Sequence, residues 1–133
     1  MKKAVLYTDG ASRGNPGPAG AGSYLQDEKG QVLAEVAAYL GTTTNNVAEY
    51  QGLLHGLRKA LELGIDEIVI RADSELMIRQ IQGRYRVKNE GLKPLYQEAM
   101  GLLKKFRTYT TQHVPREQNK EADRLSNEAI DNA

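Results

Sequence analysis

Apolar positions along this chain keep one period at a time, and the period changes where the elements change. Lys3–Asp9 is a short apolar run, Gly20–Gln26 alternates weakly, and Val32–Leu40, "VLAEVAAYL", follows the turn signal "DEKG". Alternation broken by short turns predicts three strands in an antiparallel meander. From Asn46 to Leu63 the spacing becomes helical: Tyr50, Leu54, Leu57 and Leu61 share a face, and Gly64 supplies a stop. Asp66–Asp73, "DEIVIRAD", predicts a fourth strand and Ser74–Gln82 a short helix. Leu92–Lys105 predicts another helix, with Pro94 tolerated in its first turn. The threonine and tyrosine content of Thr108–Val114, "TYTTQHV", predicts a fifth strand. Asn119–Asn132 closes as a helix with Ala122, Leu125 and Ala129 on one face. The order β-β-β-α-β-α-α-β-α predicts an α/β architecture, a mixed sheet that starts antiparallel and carries helices packed on it.

Composition narrows this only a little. The 133 residues suffice for one core, so residues 1–133 are expected to form a single domain. The 18 basic and 17 acidic side chains leave a net charge of +1, so any surface for a polyanion has to be local. With no cysteine, disulfides, thiolate metal sites and cysteine nucleophiles are excluded. The start, "MKKAVLYTDG", reads as a first strand rather than a signal peptide, and no apolar run reaches membrane-spanning length. A cytoplasmic location with no membrane partner is expected.

The placement of acids changes the picture more. Asp9 closes an apolar run and opens onto "GASRGNPGPAGAG", a stretch dense in glycine and proline. Alternation puts Val5, Tyr7 and Asp9 on one face of the first strand, and Val69, Arg71 and Asp73 on one face of the fourth. If these strands lie parallel and adjacent, both acids reach the carboxyl edge of the sheet, where open α/β sheets place their ligands. Glu49 falls in the first turn of the crossover helix, an end that a regular crossover keeps away from that edge; an irregular approach is therefore expected. Asp123, in the last helix, need only pack near the same edge. Each acid also has a plainer use: Asp9 in an Asx turn with Gly10, Glu49 in a capping-box variant "NVAE" begun by Asn46, Asp73 as a helix cap, and Asp123 facing water. Together they imply more. Two carboxylates about 4 Å apart repel by about 4 kcal/mol at an effective dielectric near 20, so a cluster of four either protonates or binds cations. Oxygen-only donors point to Mg²⁺ or Mn²⁺, and a pair of such ions about 4 Å apart forms a clamp for in-line displacement at phosphorus.

The blocks "YTDGASRGNPGPAGAG", "TTTNNVAEYQGLLHGL", "IRADSELMIRQIQG", "VKNEGL" and "HVPREQNKEADRLSNEA" resemble, in this order, the signature blocks of type 1 ribonuclease H. The resemblance runs from the first strand to the last helix. It implies the ribonuclease H-like α/β fold: a five-stranded mixed sheet, its first three strands antiparallel, with helices on both faces. It implies a monomer that hydrolyses the RNA strand of an RNA–DNA hybrid, leaving 3′-hydroxyl and 5′-phosphate ends. Asp9, Glu49, Asp73 and Asp123 match the family's metal-binding carboxylates, which hold two Mg²⁺ ions per site with substrate, Mn²⁺ being a possible substitute. One ion acts on the attacking water and the other on the leaving 3′-oxygen. Ser12 and Asn15 match positions that contact the RNA strand near the cut. Asn45 and Asn46 match residues that read the hybrid from its minor groove, and Thr44 one near a DNA-strand phosphate. Carboxamides suit that reading because a 2′-hydroxyl both donates and accepts. Gly10, Gly14 and Gly17 are expected to let the backbone approach a phosphodiester chain.

The chain departs from the family pattern in three places. Many relatives carry a histidine in the loop before the last acid; counting back without a gap gives His113, whereas matching "HVP" to a strand end leaves Arg116 in the loop position. The second alignment continues the apolar pattern of the strand, and Arg116 would then bind phosphate without acting as a base. His55, inside the crossover helix, is expected to be a surface or packing residue. Glu75 stands where several relatives have glutamine. The basic, tryptophan-rich protrusion of some relatives is replaced by "QGRYRVKNEGLK", with Arg84, Arg86, Lys88 and Lys93; each phosphate these neutralise would add about 0.9 to the salt slope. Two other classes compete with the nuclease: a non-catalytic hybrid-binding domain, disfavoured by four acids facing phosphates, and another metal nuclease of the same fold, disfavoured by the asparagine pair and the "TDG" opening.

Overall fold

The structure, a computed structural model, describes residues 2–133. Five strands form one sheet in the order β3-β2-β1-β4-β5: β1 Lys3–Ser12, β2 Gly17–Asp27, β3 Val32–Thr43, β4 Glu67–Ala72 and β5 Thr108–His113. β2 is antiparallel to both neighbours, while β1, β4 and β5 are parallel. The helices are α1 Asn45–Glu62, α2 Glu75–Ile81, α3 Lys93–Leu103 and α4 Lys120–Asp131, with a 3₁₀ turn at Arg116–Gln118. The ribonuclease H-like architecture expected from the sequence is therefore present. The element order is as read, with most ends moved by a few residues.

Larger shifts occur around the glycine-rich stretch. It is mostly strand: β1 continues past Asp9 to Ser12, paired with β2 as far as Ser12↔Ala19. The turn between them is short and closed by the Arg13 N–H donating to the Pro18 carbonyl at 2.8 Å. The glycines in it serve packing rather than an open loop. A Cβ at Gly10 would lie 2.2 Å from the Ala48 carbonyl carbon, and one at Gly22 would lie 2.2 Å from the Ala122 carbonyl oxygen. Glycine here lets α1 press on β1 from one face and α4 press on β2 from the other. A glycine at 14 is required for a different reason, since its φ is 104°.

The main core lies on the α1 side. Leu6, Leu25, Ile68 and Ile70 from the sheet meet Tyr50, Leu53, Leu54 and Leu57 from α1, with Met77, Ile78 and Leu103 from α2 and α3. Inside it the Tyr50 hydroxyl donates to Gln80 Oε1 at 2.6 Å, fixing α1 against α2. The Ser23 hydroxyl donates to the Gly52 carbonyl at 2.6 Å, fixing α1 against β2. On the opposite face α4 lays Ala122, Leu125, Ala129 and Ile130 over β2 and its neighbours. Helices thus cover both faces.

Topology also settles where α1 begins. β3 runs in the direction of β1, because β2 reverses twice. The crossover to β4 leaves from β3, so the first turn of α1 starts at the carboxyl edge of the sheet. The irregular approach expected for Glu49 is not needed.

Because α4 packs at backbone distance on Gly22, adding a methyl there must displace the helix. Gly22→Ala is predicted to destabilise the protein by about 1–3 kcal/mol in urea unfolding, as an overpacked contact does. A change within about 0.5 kcal/mol, typical of unconstrained surface substitutions, would mean the helix stands further off.

Candidate active site

The β1–β4 ladder ends at Thr8↔Ala72. The next residues on the two strands are Asp9 and Asp73, so parallel pairing delivers both acids to one edge. Glu49 arrives from the first turns of α1, which Gly10 allows to sit against β1. One carboxylate oxygen from each of Asp9, Glu49 and Asp73 lies within 4.8 Å of the others. Asp123, on the first turn of α4, lines the same cleft but stands outside that tight set. Its carboxylate accepts from Asn127 Nδ2 at 3.3 Å.

The plainer uses of these acids are mostly taken by neighbours. Thr44, not Asn46, caps α1 by accepting from the Val47 N–H at 3.3 Å, so Glu49 plays no part in a capping box. Ser74, not Asp73, caps α2 by accepting from the Met77 N–H at 3.2 Å. Asp9 does accept from the Gly10 N–H at 2.9 Å, yet its strand continues. Asp9 and Glu49 are only 5% and 7% exposed, and Glu49 Oε2 is buried without a hydrogen-bond partner. Burial first, then the Asp73 and Asp123 charges, pushes Asp9 up to about 8 against the Gly10 N–H. Burial and the Asp9 and Asp73 charges push Glu49 up to about 9. A buried acid oxygen with no donor, beside two further carboxylates, is a site whose donors fit a hard divalent cation.

The cleft holds about 560 Å³ and is also lined by Ser12, Asn45, His113 and Arg116. His113 is the last residue of β5, and its Nδ1 lies 3.9 Å from Glu75 Oε2; Arg116 follows in the 3₁₀ turn. Both candidates for the loop position therefore face the acids. Asn46 lies in an adjoining crevice with Glu49 and Ser74. Ser12, Asn15 and Thr44 tether the backbone: the Ser12 hydroxyl bonds the Gly14 carbonyl and, at 3.0 Å, the Thr43 carbonyl, and Asn15 Oδ1 accepts from the Asn45 N–H at 3.0 Å. His55 is half-buried in α1, away from the cleft. Arg13, Ser74 and Asn127 also line the cleft, positions that the sequence pattern does not mark as functional. Only Ser74 carried a signal, as a capping residue at a helix start. A second cleft of about 500 Å³ gathers Arg84, Tyr85, Arg86, Lys93 and Tyr96, with the Arg79 guanidinium over the Tyr85 ring at 5.4 Å.

Comparison with known proteins assigns the chain and its fold to a family. The family model described as "Reverse transcriptase-like" matches residues 7–129. The chain belongs to the type 1 ribonuclease H family within that group. It is 46% identical over 132 residues to the "Bifunctional protein Rv2228c" of Mycobacterium tuberculosis, covering 98% of this chain and 36% of that protein. The solved N-terminal RNase H domain of that protein superposes with a TM-score of 0.97 at 45% identity, covering 99% of this chain and 96% of that one. "Ribonuclease HI" of Halobacterium salinarum is 42% identical over 127 residues, 96% of this chain and 64% of that protein. LC11-RNase H1, isolated from compost and solved in complex with RNA/DNA hybrid, has a TM-score of 0.91 at 45% identity, with 97% of each chain covered. The chain thus spans about a third of the mycobacterial relative and under two thirds of the halobacterial one.

Between about pH 4 and pH 8 the folded protein holds protons on Asp9 and Glu49 that the unfolded chain releases. Stability without metal therefore falls as pH rises through that window. Asp9→Asn keeps the acceptor for Gly10 and removes the charge. In chelator at pH 8 it is predicted to unfold with about 1–3 kcal/mol more free energy than the wild type, the gain shrinking towards pH 4. A variant no more stable than wild type at pH 8 contradicts the proximity of the acids.

Proposed function

We propose that this chain is a metal-dependent endoribonuclease that hydrolyses the RNA strand of RNA–DNA hybrids. The observation that carries the reading is the convergence of Asp9, Glu49 and Asp73 within 4.8 Å, with Asp123 in the same cleft and a buried Glu49 oxygen lacking any donor. The complex of LC11-RNase H1 with an RNA/DNA hybrid supports the substrate.

Asp9, Glu49, Asp73 and Asp123 would hold two Mg²⁺ ions, with Mn²⁺ as a substitute. When bound, such ions activate a water for attack on phosphorus and stabilise charge on the leaving 3′-oxygen, giving 3′-hydroxyl and 5′-phosphate ends. The chain's own residues do the rest. The acids face an open cleft rather than the core, so a phosphodiester can reach them. The Arg116 guanidinium, on the rim, binds a phosphate oxygen and offsets charge there without taking a proton. Asn45 and Asn46 present both donors and acceptors to 2′-hydroxyls in a minor groove, and Asn15 orients Asn45 through its backbone N–H. Ser12 and Thr44 hold the two segments flanking the cleft and offer their remaining lone pairs to the substrate. The arginine and tyrosine cleft, built from the α2–α3 connection and the start of α3, carries positive charge in place of the family's protrusion.

All four acids come from one chain, which supports a monomer with residues 1–133 as one catalytic domain. A cytoplasmic site of action belongs to the same reading. No helix among the described residues is long and apolar enough to cross a membrane.

A hybrid with a labelled RNA strand, incubated with Mg²⁺ or Mn²⁺, is predicted to be cut internally in the RNA alone, and chelator to abolish cutting. Asp9→Asn should lose at least about 100-fold in rate, the scale of removing a main electrostatic element from such a site. Arg116→Ala should lower turnover while hybrid binding is largely kept. Cutting by Asp9→Asn at the wild-type rate would remove the ligand set, and an unchanged rate for Arg116→Ala would assign that residue to the surface.

A further inference from the structure

Asn119 takes no part in the chemistry above, yet it is among the most deeply buried side chains of the protein, 1% exposed. Its Nδ2 donates to the Thr8 carbonyl at 2.9 Å, where the β1–β4 ladder stops and one residue before Asp9. Its own carbonyl accepts from the Asp123 N–H at 3.1 Å, the first bond of the turn that carries Asp123. Its N–H donates to the Arg116 carbonyl at 2.9 Å. One residue therefore ties the backbone beside Asp9 to the segments bearing Asp123 and Arg116. Besides the packing of α4 on Gly20 and Gly22, the other polar side-chain ties between the β1–β2 hairpin and α4, Arg13 to Asp131 at 2.7 Å and to Asn127 at 3.4 Å, are exposed and correspondingly weak.

The remaining chemistry of Asn119 argues against a role in stability alone. It precedes α4 as its cap residue but makes no side-chain capping bond. Its Oδ1 is buried with no partner, and so is the Oγ1 of Thr8, the residue whose carbonyl accepts from Asn119. A buried carboxamide oxygen left unpaired opposes folding and offsets part of what the bond to the Thr8 carbonyl contributes, so the net gain in stability is small. What the bond supplies is geometry: it holds the start of α4 at a fixed place over β1.

We infer that Asn119 is a positioning residue that sets the distance between Asp123 and Asp9, and so the affinity of the cleft for divalent cations. The inference rests on the metal-dependent reading above. Asp123 is the acid that needs such a device: the other three are placed by the ladder end and by α1, whereas Asp123 rides on a helix packed from the opposite face and stands outside the tight set.

The test compares Asn119→Ala and Asn119→Leu with Leu103→Ala, a core truncation in α3 distant from the cleft, at a temperature where circular dichroism shows all four proteins folded. Mn²⁺ binding is measured by calorimetry on the protein alone, urea unfolding in chelator, and kcat and KM on the hybrid. Both Asn119 variants are expected to lose about 10–100-fold in Mn²⁺ affinity, the scale of losing a residue that orients a metal ligand. Their kcat should fall while KM stays within about twofold, and Asn119→Leu should do this with a smaller loss of stability than Leu103→Ala shows. Leu103→Ala should keep wild-type Mn²⁺ affinity and kcat. Wild-type Mn²⁺ affinity in both Asn119 variants, or losses that merely track stability as in Leu103→Ala, would overturn the inference. A wild type that binds Mn²⁺ but cuts no hybrid would instead sink the nuclease reading, leaving the affinity comparison to decide on Asn119.

Discussion

Carboxylates repel, and this fold brings three of them together on the floor of one cleft. The parallel pairing of β1 with β4 stops at Thr8 and Ala72, so that Asp9 and Asp73 emerge side by side, and α1 adds Glu49 from the same edge. Burial and mutual charge raise Asp9 and Glu49 far above the ordinary carboxylate range. In the absence of a counter-charge the arrangement lowers stability at neutral pH, and the remainder of the protein supplies the rigidity that maintains it. A divalent cation reverses the sign, because the same closeness that makes the acids repel makes them a multidentate ligand.

That rigidity comes from contacts at backbone distance. Gly10 and Gly52 let α1 approach β1, and Gly20 and Gly22 let α4 approach β2. The Tyr50–Gln80 hydrogen bond locks α1 to α2 beneath the cleft. Capping is done by Thr44 and Ser74, which leaves Glu49 and Asp73 free of the helix-start N–H groups at Val47 and Met77. The acids are thus held by the scaffold but not neutralised by it, as electrostatic preorganisation requires.

Much of this was legible in the chain. Strand alternation, the helical spacing of Tyr50, Leu54 and Leu57, and Gly64 as a stop were enough for the element order, because each reports a local period. The four acids stood out because each falls at or near the end of an element that the pattern predicts. What was hidden depends on contacts between distant segments. Gly10, Gly20 and Gly22 look like turn glycines until the helices that press on them are placed. Glu49 seemed to need an irregular approach because the crossover was traced from the first strand, whereas it departs from β3, whose direction follows only from two antiparallel pairings. Asn119 has no periodic signature at all; its partner, the Thr8 carbonyl, lies 111 residues away in sequence.

The central claim, that these acids jointly hold divalent ions against an RNA backbone, is tested most directly by diffraction from crystals of the protein with a non-cleavable RNA–DNA hybrid in Mn²⁺, collected at the manganese absorption edge. The account predicts two anomalous peaks about 4 Å apart in the cleft, ligated by side chains of Asp9, Glu49, Asp73 and Asp123. A cleft without anomalous density, or peaks that these four side chains do not touch, would contradict it.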